Sequence, residues 1–408
     1  MSPMSTDKSA SPRTAVIVGG AGAMGRWGVR AIARLGSVER LLIADIDIAR
    51  AKQVAAEVGG PCTAVELDAT DTAAMRTLFA ECDVVLNTMG PFSLFARPIL
   101  EAAIDSDCHY LDIDDDWEST VEAFDLHARA RERGLTVVKG IGGSPGFSNL
   151  SALVAARRLD EVDTLLTGWS MGGAVLEEEP DYPSAGGAGA AVEHWLIQIS
   201  GTIRAWREGG VRDLAPLQPV EFDYPGLGRV RGFTVGHPEA LTLPRHLPGL
   251  TTSLNITSGP DWLFDHARSV AADFDAGAIN LAEGAQQLEN PPRPAERAPR
   301  DPLGQVWTVA VGTRNGRRTA VSVQPTAMPP GRMGGGTGVA LAVGLELLCR
   351  GRIKESGVHS PEAVIDPEDF FPLYAEFVEP ATAGDDLLLV QEIDDPAPVS
   401  LPALTDEA

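Results

Sequence analysis

Apolar positions fall into short blocks over the first third of the chain, and the spacing between them alternates between two periods. Runs of strand length occur at 16–18, 41–44, 63–67, 83–86 and 108–112, while Met24, Gly28, Ile32 and Leu35 recur at helical spacing between the first two. The pattern predicts helices at 48–58 and 72–79, a longer one at 118–133 stopped by Gly134, and a further strand at 136–139. Strands alternating with helices through short loops imply a parallel sheet with right-handed crossovers. The expected fold is therefore α/β, a doubly wound parallel sheet of the Rossmann type.

The pattern changes after residue 150. A strand is predicted at 163–171, then a Gly- and Glu-rich loop at 172–189, read as a lid or as disorder. A helix at 190–200 bearing His194 and a strand-rich tract at 202–257 follow, with a helix at 262–281 and a Pro-rich connector at 290–302. Asn315-Gly316 between apolar runs 306–311 and 319–323 is a hairpin signal. GRMGGGTG at 331–338 lacks the strand and the Lys-Ser/Thr of a phosphate loop, so it reads as a flexible connection into the apolar helix 339–349.

Composition narrows the partners. The 408 residues are 44% hydrophobic with a formal charge of −24, which argues against nucleic acid and anionic membranes. The acid-rich stretch 379–408, without Lys or Arg, reads as a solvated tail. Residues 1–12 read as a disordered lead-in with no apolar signal segment. The four cysteines have no metal-ligand spacing and the seven histidines form no HExxH pair, so no metal is expected and the thiols read as reduced, in a cytoplasmic protein.

Candidate chemistry gathers at strand ends. In VIVGGAGAMG, Gly20 would adopt the angles of a tight turn, Gly22 would admit a pyrophosphate to the main chain, and Gly25 would let the helix pack on the strand. Ala23 and Met24 open that helix, where N–H groups and the dipole favour an anion. Asp45 ends the second strand about 20 residues on, where a carboxylate bonds the ribose 2′-hydroxyl of NAD and repels the 2′-phosphate of NADP. Ile46 and Asp47 bring no arginine to reverse that preference. Asp68 and Ala69 would lie near the adenine, and Asn87, Thr88, Met89, Gly90 and Pro91 under the pyrophosphate and nicotinamide ribose. For proton transfer the candidates are Asp114, whose acidic neighbours would raise its pKa, and His237. His237, Glu239 and Arg245 share a polar stretch, and the Arg245 fork suits a substrate carboxylate.

GGAGAMG, the acid ending strand two, NTMGPF, HYLDID and GGSPGFSNL, in this order and spacing, resemble the saccharopine dehydrogenase-like oxidoreductases, as does GVHSPEAVIDPEDFF at 357–371. The resemblance implies a nucleotide domain of residues 13–146 plus 332–378. It is interrupted by an α+β substrate and dimerisation domain at 147–331, with a mixed or antiparallel sheet, in a homodimer. It implies hydride transfer at a carbon–nitrogen bond of a small molecule, with Phe92 and Ser144 on the substrate side. Amino-acid-processing members commonly carry Asp-Pro-Gly where this chain has Ser144-Pro145-Gly146. Two other readings stay open: an enzyme that retains NAD and uses transient oxidation for elimination, epimerisation or C–C cleavage, and a non-catalytic NAD sensor.

Overall fold

A computed structural model describes residues 12–171, 189–292 and 301–405. The lid reading at 172–188, most of the connector and the lead-in lie outside the described residues.

The first half alternates strand and helix: β1 (Thr14–Val18), α1 (Ala23–Leu35), β2 (Arg40–Asp45), α2 (Ile48–Val58), β3 (Cys62–Glu66), α3 (Thr72–Phe79), β4 (Val84–Asn87), α4 (Phe92–Asp105) and β5 (His109–Asp112). Then come α5 (Trp117–Ala123), α6 (His127–Glu132), β6 (Thr136–Val138) and α7 (Phe147–Ala156). The single helix expected at 118–133 is broken by a 3-10 turn at Phe124–Leu126. The break seats His127 Nδ1 against the Val358 carbonyl at 3.1 Å, a contact from far along the chain that local pattern does not carry.

The middle region contains β7 (Glu161–Ser170), α8 (Ala190–Gln198), β8 (Ile203–Arg207), β9 (Gly210–Leu214), β10 (Pro219–Tyr224), β11 (Gly228–Thr234), α9 (Glu239–His246), β12 (Thr252–Ser258), α10 (Asp261–Asp275), α11 (Leu281–Glu289), β13 (Val306–Arg314) and β14 (Arg317–Pro325). Two expectations fail here. The stretch from Glu239 is a helix inside the strand-rich tract, because a short apolar run reads either way. The helix at 262–281 ends early and a second one starts: Gly277, at φ 69°, stops α10, and Asn280 with Glu283 forms a capping box for α11.

The chain closes with α12 (Arg332–Cys349), β15 (Gly357–His359), α13 (Pro361–Val364), α14 (Pro367–Ala375) and β16 (Leu388–Asp394). The glycine run expected to be a flexible connection is the first two turns of α12. A Cβ on Gly338 would lie 2.5 Å from the Gly28 nitrogen and 2.7 Å from the Met24 carbonyl, so the glycines let α12 press its backbone onto α1. Packing overrides their poor helix propensity. The acidic segment is likewise not a solvated tail. β16 pairs antiparallel with β14 from Thr319↔Asp394 to Pro325↔Leu388, and its acids meet arginines, Glu392 with Arg314 and Asp394 with Arg317.

One sheet has seven strands in the order β15-β6-β5-β4-β1-β2-β3, all parallel. This is the doubly wound order, with the topological switch between β1 and β4, where ligands gather at the carboxyl ends of the strands. The second sheet runs β10-β11-β12-β7-β13-β14-β16, with β8 and β9 off its main path. It is mixed, since β7 and β12 are parallel and β13 and β14 form an antiparallel hairpin. The hairpin turns on Asn315-Gly316, at φ 51° and 75°, the left-handed pair of a type I′ turn. No described helix is long and apolar enough to cross a membrane.

Candidate active site

The turn after β1 fits a dinucleotide. The left-handed residue is Gly19, at φ 74°, and not Gly20 as the motif suggests; Gly20 is needed for space, because a Cβ there would sit 2.7 Å from Ile17 Cγ2. A Cβ on Gly25 would sit 2.3 Å from the Gly19 carbonyl, so only glycine lets α1 start this close to the strand. α1 has no side-chain cap at Gly22 and no acid in its first turn, which leaves N–H donors at Ala23 and Met24 for a phosphate. Asp45 stands at the rim of this turn, where its carboxylate accepts from the Ala21 and Asp47 amides, each at 3.1 Å. Ile46 is exposed beside it. Asp68 is also exposed and accepts from the Thr70 amide and hydroxyl, while Ala69 is buried.

The turn after β4 is tied to the glycine turn. Thr88 donates its hydroxyl to the Val18 and Gly19 carbonyls at 2.9 and 3.0 Å. Asn87 accepts from the Met89 amide and donates to Tyr110 Oη at 3.0 Å. Gly90 and Pro91 lead into α4, whose first residue, Phe92, is buried in the apolar cluster under the sheet and is not presented to a substrate.

Behind this turn runs a buried ionic cluster. Tyr110 donates to Asp112 at 2.9 Å, and Lys139 Nζ bridges Asp112 and Asp114, the latter at 2.6 Å. Asp114 also accepts from the Ser119 hydroxyl and from the Asp116 amide at 2.9 Å. All three charged side chains are completely enclosed. Burial pushes both carboxyls up, against the pull of Lys139, and the two carboxylates hold the Lys139 ammonium above its usual range despite burial. The expected cause at Asp114, repulsion by acidic neighbours, is a lesser one. Its oxygens are engaged within the fold, so Asp114 does not face a substrate, contrary to the expectation for it. Lys139 escaped the sequence reading, although a lysine ending an apolar parallel strand is a detectable anomaly.

A second polar group comes from the middle domain. His237 is 2% exposed and its Nδ1 lies 2.5 Å from Glu239 Oε2. Glu239 Oε1 accepts hydroxyls from Ser144 at 2.5 Å and Ser148 at 2.6 Å. Burial raises the Glu239 carboxyl, but His237 and the two serines outweigh it and hold it below the usual range. Where the resembled family carries an aspartate, Ser144 therefore brings in the carboxylate of Glu239 from α9. Arg245 is not part of this group: it is exposed and lies over the Phe124 ring, 4.0 Å from its centroid, so it clamps no carboxylate here.

Comparison with known proteins decides the first domain. A family model described as saccharopine dehydrogenase NADP binding domain matches residues 15–138. This stretch belongs to that domain family. A protein of Arabidopsis thaliana named "probable mitochondrial saccharopine dehydrogenase-like oxidoreductase" is 33% identical over 93 residues, 22% of this chain and 20% of that protein. A sorbitol dehydrogenase of Cereibacter sphaeroides is 36% identical over 101 residues, 23% of this chain and 38% of that protein. Each match thus spans well under two thirds of the relative's length. The solved apo saccharopine dehydrogenase (L-Glu forming) of Saccharomyces cerevisiae shares the fold, with a TM-score of 0.61 at 14% identity, over 93% of this chain and 100% of that one.

The saccharopine dehydrogenase-type nucleotide domain meets the middle domain through the loop after β5. Asp115 Oδ1 lies 3.0 Å from His194 Nε2 on α8, and Gln198 Nε2 donates to the Asp115 carbonyl at 3.0 Å. His194 rises to about 9, since Asp115, Asp116 and Asp114 outweigh the opposing effect of burial. Burial raises Asp115, but the two imidazoles, His194 ahead of His237, bring it below the usual carboxylate range. The loop is thus held between one histidine on α8 and another ahead of α9.

Proposed function

We propose that this chain is a nicotinamide-dependent oxidoreductase that moves a hydride between the cofactor and a small amine or imine, and that it uses NAD in preference to NADP. The observation that carries the reading is His237, held by a buried carboxylate beside the carboxyl ends of β5 and β6, where the nicotinamide end of a dinucleotide would lie. The names of the matched domain and of the relatives support oxidoreductase chemistry, and the resemblance in GGSPGFSNL and HYLDID supports a C–N bond. The matched domain is described as NADP-binding; Asp45 argues the other way for this chain, because a carboxylate bonded to the turn repels a 2′-phosphate.

With the pyrophosphate of the dinucleotide on the glycine turn, its nicotinamide ring would supply the hydride acceptor or donor. The side chains manage the proton. With Glu239 ionised and accepting, His237 carries its proton on Nδ1 and presents Nε2 as a base to a substrate ammonium, or as an acid to an imine once protonated. Ser144 and Ser148 keep Glu239 in place, which fixes the ring and its tautomer.

Two measurements test the reading. Fluorescence titration with NADH and NADPH is expected to show tighter NADH binding that weakens in Asp45→Ala; tighter NADPH binding overturns the cofactor preference. A panel of primary and secondary amines, followed at the nicotinamide absorbance, is expected to contain substrates for the wild type. His237→Asn is expected to lower kcat by about 10²- to 10⁴-fold with NADH affinity retained. Oxidation of alcohols and of no amine refutes the C–N assignment, and an unchanged kcat removes His237 from it.

A further inference from the structure

We propose that Glu362, on α13, is a positioning residue for the His237–Glu239 pair, and that it acts by fixing the Asn149 amide beneath the turn at 140–146. The proposal rests on the C–N reading above, in which His237 carries the proton and Glu239 fixes its ring. Glu239 is in turn held by the hydroxyls of Ser144 and Ser148, and Ser144 stands in a turn outside any helix or strand. The direction of its hydroxyl depends on what fixes that turn.

The turn closes at Gly146, at φ 113°, where a Cβ would lie 2.4 Å from the Gly142 nitrogen and carbonyl oxygen. The Gly146 amide donates to Asn149 Oδ1 at 2.8 Å. An amide side chain carries its acceptor and its donors on the two arms of one planar group, so whatever takes the Asn149 N–H decides where the oxygen faces. Asn149 Nδ2 donates to Glu362 Oε2 at 2.8 Å and, at a longer 3.3 Å, to Thr242 Oγ1. Glu362 is 2% exposed and Asn149 is fully enclosed, so water cannot replace that acceptor. Thr242 lies on α9 one turn after Glu239, and the Asn149 amide thus ties the turn both to the helix that carries Glu239 and to a segment from the far end of the chain. The two enclosed carboxyls serve different ends. Glu239 is ionised on His237 and the two serines, whereas Glu362 Oε1 has no hydrogen-bond partner among the described residues. Burial raises the Glu362 carboxyl above its usual range, and the Glu239 charge adds to the effect. Glu362 is therefore a neutral acid that accepts through Oε2. Without that acceptor the Asn149 amide is free to turn, Gly146 loses its hold, Ser144 shifts from Glu239, and the His237 ring is no longer kept in one tautomer.

The test sets Glu362→Met, which fills the same space with no acceptor, against Glu362→Gln, which keeps one, in the full-length protein. ¹⁵N-histidine NMR, with the His237 signals identified by their loss in His237→Asn, is expected to show a single Nδ1–H tautomer in wild type and Glu362→Gln and a mixture of tautomers in Glu362→Met. With the fastest amine of the panel, Glu362→Met is expected to lose about 10- to 100-fold in kcat at unchanged KM and NADH affinity, while Glu362→Gln keeps the wild-type rate. Because the effect passes through Ser144, Glu362→Met is expected to cost little more in a Ser144→Ala background, whereas an independent loss would add to it. Where Glu362→Met does not bind NADH, Glu362→Asp, whose carboxyl falls a methylene short of Asn149, takes its place. His237 signals that stay at wild type in Glu362→Met, a rate lost equally in the Met and Gln variants, or losses that add in the double variant overturn the proposal. His237 tautomers that mix as expected while no amine is turned over defeat the C–N reading and uphold the link from Glu362 to His237.

Discussion

Replacing Lys139 by methionine, which nearly matches its length, removes the one cation enclosed with Asp112 and Asp114. All three side chains are shut away from solvent, so water cannot take the place of the ammonium. Breaking a buried pair by deleting one partner costs about 3–5 kcal/mol, roughly a 10²- to 10⁴-fold loss in the folding equilibrium. The loss has a definite pH signature. Both carboxyls already lie above the usual range, and without the ammonium they rise further. A carboxyl with a raised folded-state pKa favours the fold while protonated and weakens it as pH rises through that value. The deficit of Lys139→Met against wild type is therefore largest at neutral pH and shrinks as the medium turns acidic. Adding Asp112→Asn and Asp114→Asn removes the stranded charge and is expected to recover most of the loss. Urea unfolding followed by tryptophan fluorescence and circular dichroism across a pH series reads all of this. A Lys139→Met midpoint equal to wild type at neutral pH, or a deficit that stays constant with pH, refutes the charge argument.

Gly25→Val, whose Cβ would start 2.3 Å from the Gly19 carbonyl, is expected to weaken NADH binding about 100-fold or more with the circular dichroism spectrum kept, an effect of roughly 3 kcal/mol; calorimetric titration decides it, and full affinity contradicts the cradle geometry. His194 predicts loss of stability in alkali. Its pKa rises from 6.5 to about 9, so its contribution is complete below the lower value and fades as pH climbs through the upper one. The contribution is on the order of 3 kcal/mol, and unfolding midpoints between those pH values are expected to fall in wild type and stay flatter in Asp115→Asn.

Much of the nucleotide domain was legible because its signals are local. Short continuous apolar runs separated by period-3.6 blocks specify strands and helices in a parallel sheet, and glycine spacing with an acid at the next strand end marks the cofactor turn. Even there, which glycine takes the left-handed angle depends on the turn's closure, and the structure gives that place to Gly19. What stayed hidden depends on partners distant in sequence. Lys139 is an anomaly in the sequence, but its partners Asp112 and Asp114 become apparent only when β5 and β6 lie side by side. Ser144 and Glu239 are separated by α7, β7, α8 and four further strands. The run at 331–338 looks like a loop by propensity and is a helix because α1 leaves space only for glycine. β16 was missed for a similar reason, since its acids look soluble until Arg314 and Arg317 stand opposite them.

The order in which the chain is made gives the contact between α1 and α12 a further meaning. Ile17, Val29 and Ile32 share one apolar cluster with Val339, Leu341 and Leu345, so a face formed near the start of synthesis is covered only by a segment made much later. β6 ends at residue 138 and α12 begins at residue 332, an interval of about 10–40 s at ribosomal speeds of 5–20 residues per second. During that time the early strands can pair, but the apolar side of α1 stays bare while the entire second sheet is assembled except its last strand. A nascent chain in this condition has a long window in which to stick to its neighbours, and escape from it depends on the glycines that let α12 dock.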